Sequence, residues 1–437
     1  MSSSLSKSSN RIVGLFMLPP CYKDIANITI HNNFYGINYI MIVLLLISAT
    51  VRVTFWHAMG GPLGKTLDDL IMRFNHEHPD IEVISVNMGN YSTLSQKLMA
   101  SIVANKPPTM AQAYESWISS LWRAGKLEPI ENFARKDFTR TDWDDFFPVL
   151  LANSKWGDTL VSLPFNKSVT AYFYNKDWLR KRGITEFPRT WDEFLEVALQ
   201  LRDTLADKWA TAFSPAVSLF EMLLFSCGGQ ILDSLELCAR FDDSCGVWAL
   251  SFICDLLHKY EVAYLTTGYQ YQDDFITQKV AMVVGSSVSY SYIMRYKPPF
   301  ELGMAPIPDS GCIIMGTNIV IFRAATPEQK RAAWEFIKWF TSPEIQAEWA
   351  IATGYVPVRR SAFTLPMMQA ELQKVPDRIM VWRQIEYAHT EPRTAGWLAG
   401  RQFLLTEGIE PALRNVLTPR QALTRAAKII EFEFKKY

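Results

Sequence analysis

Strand-like and helix-like patterns alternate from residue 51 onward, and this order restricts the fold more than any other feature of the chain. The segment 51–56 (VRVTFW) is typical of a strand, and apolar residues then recur at helical spacing between 63 and 74. A second strand-like run, IEVISVNM, is followed by a helical pattern around Leu94 and Leu98 and by a short strand at 109–114. This β-α-β-α-β order predicts a mainly parallel sheet covered by helices.

The length of the chain predicts two lobes rather than one. Its 437 residues exceed the ~250–300 at which a single hydrophobic core stops growing. Strand-like segments return at 280–285, 300–307 and 317–322, and helical patterns then continue to the end of the chain. Helix starts are indicated at Thr326-Pro327, Ser342-Pro343 and Thr418-Pro419. Since no low-complexity linker divides the chain, two lobes would be joined by several crossings.

The N-terminal residues 1–49 indicate export. An unbroken apolar run covers 39–47, basic residues precede it and the small residues Ser48 and Ala49 follow it. The run is short for a membrane-spanning helix, which needs ~20 apolar residues. Ile47 is a poor match to the small residue expected at the −3 position of a cut after Ala49. A secretory signal is therefore predicted, with an uncleaved membrane anchor as the alternative.

The stretch WHAMGGPLGKT is a near match to a phosphate-binding P-loop. Only three residues separate Gly60 from Gly64, and Met59 stands where the first glycine of that motif belongs. Pro62 also removes a backbone N–H donor. The stretch therefore predicts a strand, a turn and a helix start that suits a polar or anionic ligand, rather than a nucleotide site.

Charge and motifs argue against several classes of function. Lys and Arg equal Asp and Glu at 44 each, which argues against binding to nucleic acid. The chain has no G-x-S-x-G motif, and His76 and His78 are wrongly spaced for a zinc-binding H-E-x-x-H helix. We therefore expect no enzyme activity, no cofactor and no metal.

Cysteine spacing leaves two alternatives open. Cys21 precedes the apolar run, and the cysteines beyond it are Cys227, Cys238, Cys245, Cys254 and Cys312, an odd number. No C-x-x-C pair suggests a zinc site. Either one disulfide forms within 227–254 or the thiols are free and buried.

Several longer segments carry a family resemblance. FWHAMGG, GNY, PFNKS, YNKDW and TGYVPVR resemble the extracellular solute-binding proteins of ABC importers, in the maltose-binding-like family, and are most similar to its glycerol-3-phosphate-binding branch. The resemblance implies an α/β fold of two lobes with three hinge crossings and a ligand cleft between the lobes. It implies lobe one at 50–167 and 287–342, and lobe two at 168–286 and 343–437.

The same resemblance implies a mode of action. The ligand would be sn-glycerol-3-phosphate or a glycerophosphodiester, and a neutral di- or oligosaccharide is the alternative. Hinge closure around the ligand would let a monomeric protein outside the cytoplasm deliver it to a membrane permease and its separate ATPase.

Candidate ligand contacts follow from positions that match the branch's motifs. The resemblance implies the contacts Tyr91, Glu115, Ser168, Gly316, Tyr355 and Arg393, with Ser286 or Ser287 at the second hinge, and with Trp56 and Trp117 as aromatic walls. Arg393 would bind phosphate, because a guanidinium donates in a bidentate fork. The alternative roles are a helix cap, a hinge hydroxyl, core packing or, for Arg393, a surface salt bridge. Val217 stands near the position where the branch has a tryptophan stacked on the ligand, which enlarges the pocket.

Overall fold

The computed structural model describes residues 50–436, so the predicted export segment 1–49 lies outside the described residues. Within the range 50–436, no helix combines the length and the apolar character needed to cross a membrane.

The described chain contains short strands and many helices. The strands are β1 (Val51–His57), β2 (Ile81–Asn87), β3 (Met110–Ala113), β4 (Lys155–Trp156), β5 (Thr159–Leu160), β6 (Ser162–Pro164), β7 (Ser168–Asn175), β8 (Trp209–Phe213), β9 (Ala263–Leu265), β10 (Val280–Ser286), β11 (Leu302–Ala305), β12 (Ile314–Met315) and β13 (Asn318–Ile321). The α-helices are α1 (Gly61–Glu77), α2 (Tyr91–Val103), α3 (Glu115–Arg123), α4 (Glu131–Asp137), α5 (Arg140–Asp145), α6 (Pro148–Ala152), α7 (Lys176–Lys181), α8 (Trp191–Leu201), α9 (Val217–Ser226), α10 (Ser244–His258), α11 (Gln270–Ile276), α12 (Ser289–Arg295), α13 (Pro327–Phe340), α14 (Pro343–Thr353), α15 (Pro366–Lys374), α16 (Asp377–Arg383), α17 (Trp397–Phe403), α18 (Glu410–Leu413) and α19 (Pro419–Phe434).

The first sheet has five strands in the order β2-β1-β3-β13-β6. β1 is parallel to both β2 and β3, which confirms the predicted parallel β-α-β-α-β unit. β13 runs antiparallel to β3 and β6. Leu67, Leu70 and Phe74 are buried on one face of α1, as the helical spacing predicts. Each such side chain contributes about 1.5–3 kcal/mol by leaving water.

The second sheet is mixed, with the order β11-β7-β10-β8-β9 and with β12 also paired to β7. β10 is antiparallel to β7 and parallel to β8. β8 and β9 are parallel. The chain therefore builds two separate sheets with helices packed on each, which is the two-lobe architecture that the resemblance implied.

Three segments pass between the two sheets. The first, residues 165–167, joins β6 to β7, and the second, residues 316–317, joins β12 to β13. The third lies between α14, which packs on α1, and α16, which packs on β7 and β11.

The prediction that Ser286 or Ser287 lies at the second hinge is wrong. β10 ends at Ser286, and the chain then forms α12 and β11 before it crosses. Since β11 pairs with β7, it belongs to the second sheet although it falls inside the segment 287–342 that was expected to return to lobe one. The other lobe boundaries stay predictions.

The predicted helix starts are found at their positions. α13 and α19 begin with capping boxes, in which Thr326 pairs with Gln329 and Thr418 with Gln421. α14 also begins after its serine, but Ser342 makes no cap: its hydroxyl donates to the Trp339 carbonyl at 2.7 Å.

A disulfide settles the open question about the cysteines. Cys227, at the end of α9, is bonded to Cys245, in the first turn of α10, across a separation of 18 residues. Cys254 and Cys312 are buried free thiols, and Cys238 is exposed. The bond ties together two helices that also pack on each other.

Candidate ligand cleft

A cavity of about 710 Å³ lies between the two sheets. Its wall on the first-sheet side is formed by the turn after β1, at 58–60, together with Leu63, Tyr91 and Tyr114. The opposite wall comes from β7, the start of α9, α11, and the segment from β10 to α12. The volume lies within the range of small-molecule sites. The turn of the near-match P-loop therefore reaches the cleft, so the helix start that the sequence predicts there lies beside the cavity.

The described residues that line this cavity carry no formal charge, since none of them is Asp, Glu, Lys, Arg or His. Their polar groups are tyrosine hydroxyls, one glutamine amide and the hydroxyls of Ser168, Thr170, Ser214, Ser218, Ser286 and Ser289. Met59, Leu219, Met222 and Phe213 supply apolar surface. The cleft can therefore hold a ligand through hydroxyl hydrogen bonds and aromatic contact.

Helix starts add backbone donors to the cleft. α1 begins beside Gly60, α2 begins at Tyr91, and α9 begins between Ala216 and Ser218, and these four residues all line the cavity. The first N–H groups of a helix have no partner within the helix and carry a partial positive charge. The N–H groups at the starts of α1 and α9, which have no side-chain cap, can therefore bind anionic oxygens in a wall that has no cationic side chain, whereas at α2 the Thr93 N–H already donates to the Asn90 Oδ1.

Five residues named from the sequence lie on this wall: Tyr91, Ser168, Ser286, Gly316 and Tyr355. The Asn166 side chain holds the two tyrosines, because its Nδ2 donates to the Tyr91 hydroxyl at 3.1 Å and to the Tyr355 hydroxyl at 2.9 Å. Burial raises the pKa of both tyrosines, so both stay neutral. Their contact with a ligand remains a prediction.

Asn166 joins the crossings, and sequence reasoning missed it. Its Oδ1 accepts hydrogen bonds from the Thr317 backbone N–H at 3.1 Å and from the Thr317 hydroxyl at 2.5 Å. The Val356 N–H donates to the neighbouring Lys167 carbonyl at 2.7 Å. We call Asn166, Thr317 and Tyr355 the hinge hub, since one member comes from each crossing. In the sequence, only the motif PFNKS, which contains Asn166 and carries part of the family resemblance, pointed to this position.

Glu115 and Ser287 do not line the cavity. The Glu115 Oε1 lies 2.6 Å from the Lys167 Nζ and accepts a hydrogen bond from Asn153 at 2.8 Å. The Ser287 hydroxyl donates to the Gly354 carbonyl at 2.8 Å. Both residues make contacts within the protein, and their contacts with a ligand stay predictions.

The two tryptophans are also absent from the cavity wall. Trp117 is only 4% exposed and packs edge-on against Tyr114, which does line the cavity. Trp56 packs against the same hydrophobic cluster as Trp117. Both tryptophans therefore pack in or against a hydrophobic cluster, which is the alternative role that the sequence left open.

Arg393 is not among the residues that line the cavity, and the phosphate contact that the resemblance implied stays a prediction. Its Nη1 donates to the carbonyls of Ala152 at 2.8 Å and Lys155 at 2.6 Å. The guanidinium also lies 5.6 Å from the centre of the Trp156 ring. The side chain thus fastens the segment after α16 to the end of α6 and to β4.

The Arg393→Ala substitution is expected to lower the free energy of unfolding by about 2 kcal/mol, because two carbonyls lose a charged donor. The dissociation constant of the ligand should stay within about twofold of the unchanged protein, since the guanidinium does not reach the cavity. Urea unfolding and calorimetric titration measure the two quantities. Arg383→Ala, at an exposed position, is the control and should cost no more than about 0.5 kcal/mol. A large loss of affinity at unchanged stability would restore Arg393 to the ligand site.

A cluster of ionisable side chains, of which only Glu221 is fully buried, lies near Tyr114. The Arg401 Nε donates to both oxygens of Glu391, at 3.2 and 3.0 Å, and the carboxylate of Glu221 is fully buried without a hydrogen-bond partner. Burial first, and the nearby Glu391 second, hold the pKa of Glu221 well above its usual range, so Glu221 is neutral. Burial also raises the pKa of Tyr114, against the opposing charge of Arg401. With Glu221 neutral, the cluster carries no net charge.

No group of three or more His, Cys, Asp or Glu side chains in the described range is arranged to hold a metal ion. Two sheets joined by three crossings, with a cleft between the sheets, are the architecture of the solute-binding proteins that serve ABC importers. Residues 69–376 match the bacterial extracellular solute-binding protein family, and the chain belongs to that family.

Individual relatives agree with this assignment. The chain is 26% identical over 405 residues to the sn-glycerol-3-phosphate-binding periplasmic protein UgpB of Shigella dysenteriae, a match that covers 87% of this chain and 92% of that protein. The same protein of Escherichia coli K12 matches at 26% identity with the same coverage.

Two solved structures share the fold. The UgpB of Mycobacterium tuberculosis, in complex with glycerophosphocholine, has a TM-score of 0.80 at 21% identity and covers 89% of this chain and 99% of its own. The cyclic alpha-maltosyl-1,6-maltose binding protein of Arthrobacter globiformis has a TM-score of 0.77 at 23% identity and covers 89% of this chain and 100% of its own. Phosphate-ester and sugar binders therefore share this architecture.

Proposed function

We propose that this protein captures a glycerophosphodiester, or sn-glycerol-3-phosphate, by hinge closure and delivers it to a membrane permease that a separate ATPase drives. It acts as a monomer outside the cytoplasm, exported by residues 1–49 or anchored through them, and it binds its ligand without chemical change. The similarity to the UgpB proteins supports the choice of ligand.

The observation that carries the proposal is the convergence of serine hydroxyls and helix starts on one uncharged cleft. Ser286 ends β10, Ser289 is the first residue of α12, and Ser218 lies in the first turn of α9. A phosphate oxygen among these groups would accept hydrogen bonds from hydroxyls and from backbone N–H groups. Such a site binds phosphate without arginine or lysine.

The same observation favours a diester over a monoester. A phosphate monoester carries about −1.5 to −2 charge at pH 7. A phosphodiester keeps a single negative charge, which costs less to bury where no cationic side chain lines the wall. Glycerophosphodiesters are therefore the preferred ligands within the proposed class.

The second candidate is a neutral di- or oligosaccharide. Six tyrosines line the cleft, and aromatic faces together with hydroxyls also suit a sugar. The similarity in fold to the cyclic maltosyl-maltose binder is compatible with this alternative.

A ligand panel separates the two candidates. Thermal unfolding of the purified protein is measured with glycerophosphocholine, glycerol-3-phosphate, inorganic phosphate, maltose and trehalose. A true ligand at 100 times its dissociation constant stabilises the native state by about 2.7 kcal/mol. Stabilisation by glycerophosphocholine, with a smaller effect of glycerol-3-phosphate, is the expected result. Stabilisation by the sugars alone would reject the phosphate ligand and keep the importer role.

A further inference from the structure

The last helix of the described chain, α19, turns a basic face to solvent. The opposite face of this helix is apolar and packs on α10, α17 and α18. Five basic side chains are exposed on α19 or directly after it: Arg420, Arg425, Lys428, Lys435 and Lys436. We call these five residues the basic face.

Acidic groups neutralise only part of the basic face. Arg425 is paired with Glu407, and the Lys436 Nζ lies 2.5 Å from a carboxylate oxygen of Glu433. Glu431, the other acid of α19, accepts a hydrogen bond from a backbone N–H at 3.1 Å. Three cations have no carboxylate oxygen within 4 Å among residues 50–436: Arg420, Lys428 and Lys435. The face therefore keeps an excess of positive charge, although the chain as a whole has as many basic as acidic side chains.

An aromatic side chain lies within the basic face. Phe432 is 66% exposed, and it follows Lys428 by four residues and precedes Lys435 by three. Residues at these spacings are neighbours on a helix surface. At a membrane surface, basic side chains attract anionic head groups while an aromatic ring enters the boundary between head groups and acyl chains. The exposed ring among the cations therefore favours a bilayer over an acidic protein as the partner.

The basic face is long enough to contact several lipid head groups. From Arg420 to Lys436 it extends about 24 Å, at about 1.5 Å per residue. A basic residue close to an anionic bilayer strengthens binding about fivefold, so three unneutralised cations together contribute about 100-fold. The attraction decays over a Debye length of about 8 Å at physiological salt, which requires close approach of the helix to the lipid.

We propose that the basic face of α19, together with Phe432, docks on the surface of a bilayer that contains anionic phospholipid. The proposal goes beyond the proposed function, because it involves neither the ligand nor the cleft. Docking there keeps the protein beside the membrane that would contain its permease.

The test measures binding of the full chain to lipid vesicles by co-sedimentation. Vesicles of phosphatidylglycerol and phosphatidylcholine in equal amounts should bind about 100-fold more tightly than vesicles of phosphatidylcholine alone, and added salt should weaken that binding. The Arg420→Gln/Lys428→Gln/Lys435→Gln variant should bind the anionic vesicles about 100-fold more weakly than the unchanged protein. Phe432→Ala should lose about fivefold, since it removes the ring but no charge.

Lys97→Gln/Lys106→Gln/Lys136→Gln is the matched control. These lysines are exposed, they lie on or next to α2 and α4, and their replacement makes the same change in net charge. The control should lose less than about threefold. Residues 1–49 are the same in all variants, so any attraction of theirs to lipid cancels from the ratios. Melting temperatures show whether each variant is folded.

Three results would overturn the proposal. Equal losses in the two triple variants would show that net charge, rather than the basic face, determines binding. Equal binding of the two kinds of vesicle would show that anionic lipid is not recognised. Binding of polyglutamate through the basic face, without binding of anionic vesicles, would identify an acidic protein as the partner. None of these results affects the ligand panel, so the proposed function stands or fails separately.

Discussion

Gly316→Ala is expected to destabilise the protein by about 3–4 kcal/mol. An added Cβ would lie 1.9 Å from the Asn166 carbonyl oxygen, and Gly316 has a φ of +96°. The backbone conformation alone costs a residue with a side chain about 1–2 kcal/mol, and a displaced backbone adds about 1–3 kcal/mol. Because Gly316 lies in the second crossing, the displacement would reach Asn166 and the hinge hub.

Gly89 supplies a matched control for this substitution. Its φ of +98° is nearly the same, but nothing lies within 4 Å of the added Cβ. Urea unfolding should therefore show a cost of about 1–2 kcal/mol for Gly89→Ala, the conformational part alone. If the two substitutions lower the free energy of unfolding equally, the second crossing tolerates a side chain at 316. That result would contradict the predicted clash with the Asn166 carbonyl oxygen.

Lys167→Met is expected to destabilise the protein by about 4 kcal/mol. Lys167 lies in the first crossing with its side chain 1% exposed, and its Nζ is 2.6 Å from the Oε1 of Glu115, which is 14% exposed. Methionine fills much of the same space but leaves the Glu115 carboxylate with Asn153 as its remaining side-chain donor. Removing one partner of a buried ion pair typically costs about 3–5 kcal/mol, because the other charge is left uncompensated.

The double variant Lys167→Met/Glu115→Gln is the control for this prediction. It removes both charges, so it should recover at least about 2 kcal/mol of the loss in urea unfolding. If the double variant loses as much free energy of unfolding as the two single variants added together, the ion pair contributes nothing of its own to stability. A large loss of ligand affinity in Glu115→Gln at unchanged stability would instead support the ligand contact that the sequence implied.

Local patterns explain what the sequence could predict. The parallel unit of β1 to β3, the buried face of α1 and the capping boxes at Thr326 and Thr418 depend on residues close together in the chain. The strand, turn and helix start around 58–60 were predicted for a similar reason, and the structure places this turn at the cleft.

The contacts that sequence reasoning missed depend on distant residues. Asn166 bonds Thr317 across 151 positions and Tyr355 across 189. The resemblance implied a phosphate contact for Arg393, but its guanidinium donates to the carbonyls of Ala152 and Lys155, which no local sequence pattern indicates. Nor could composition show that the cavity wall lacks charge, because the 88 charged residues (44 basic and 44 acidic) are spread along the chain, and none of those within 50–436 lines the cavity.

The hinge hub connects the three crossings between the two lobes through the side chain of one residue, Asn166. Bending one crossing by itself would pull Thr317 or Tyr355 away from Asn166 and leave part of a buried amide unpaired, at a cost of about 1–3 kcal/mol. In the proposed hinge closure, the three crossings would therefore turn together, and the angle between the lobes would change along a single coordinate. A bound ligand would then restrict only one rotation of the lobes. Little of its binding free energy would be offset by the conformational entropy that the lobes lose on closing.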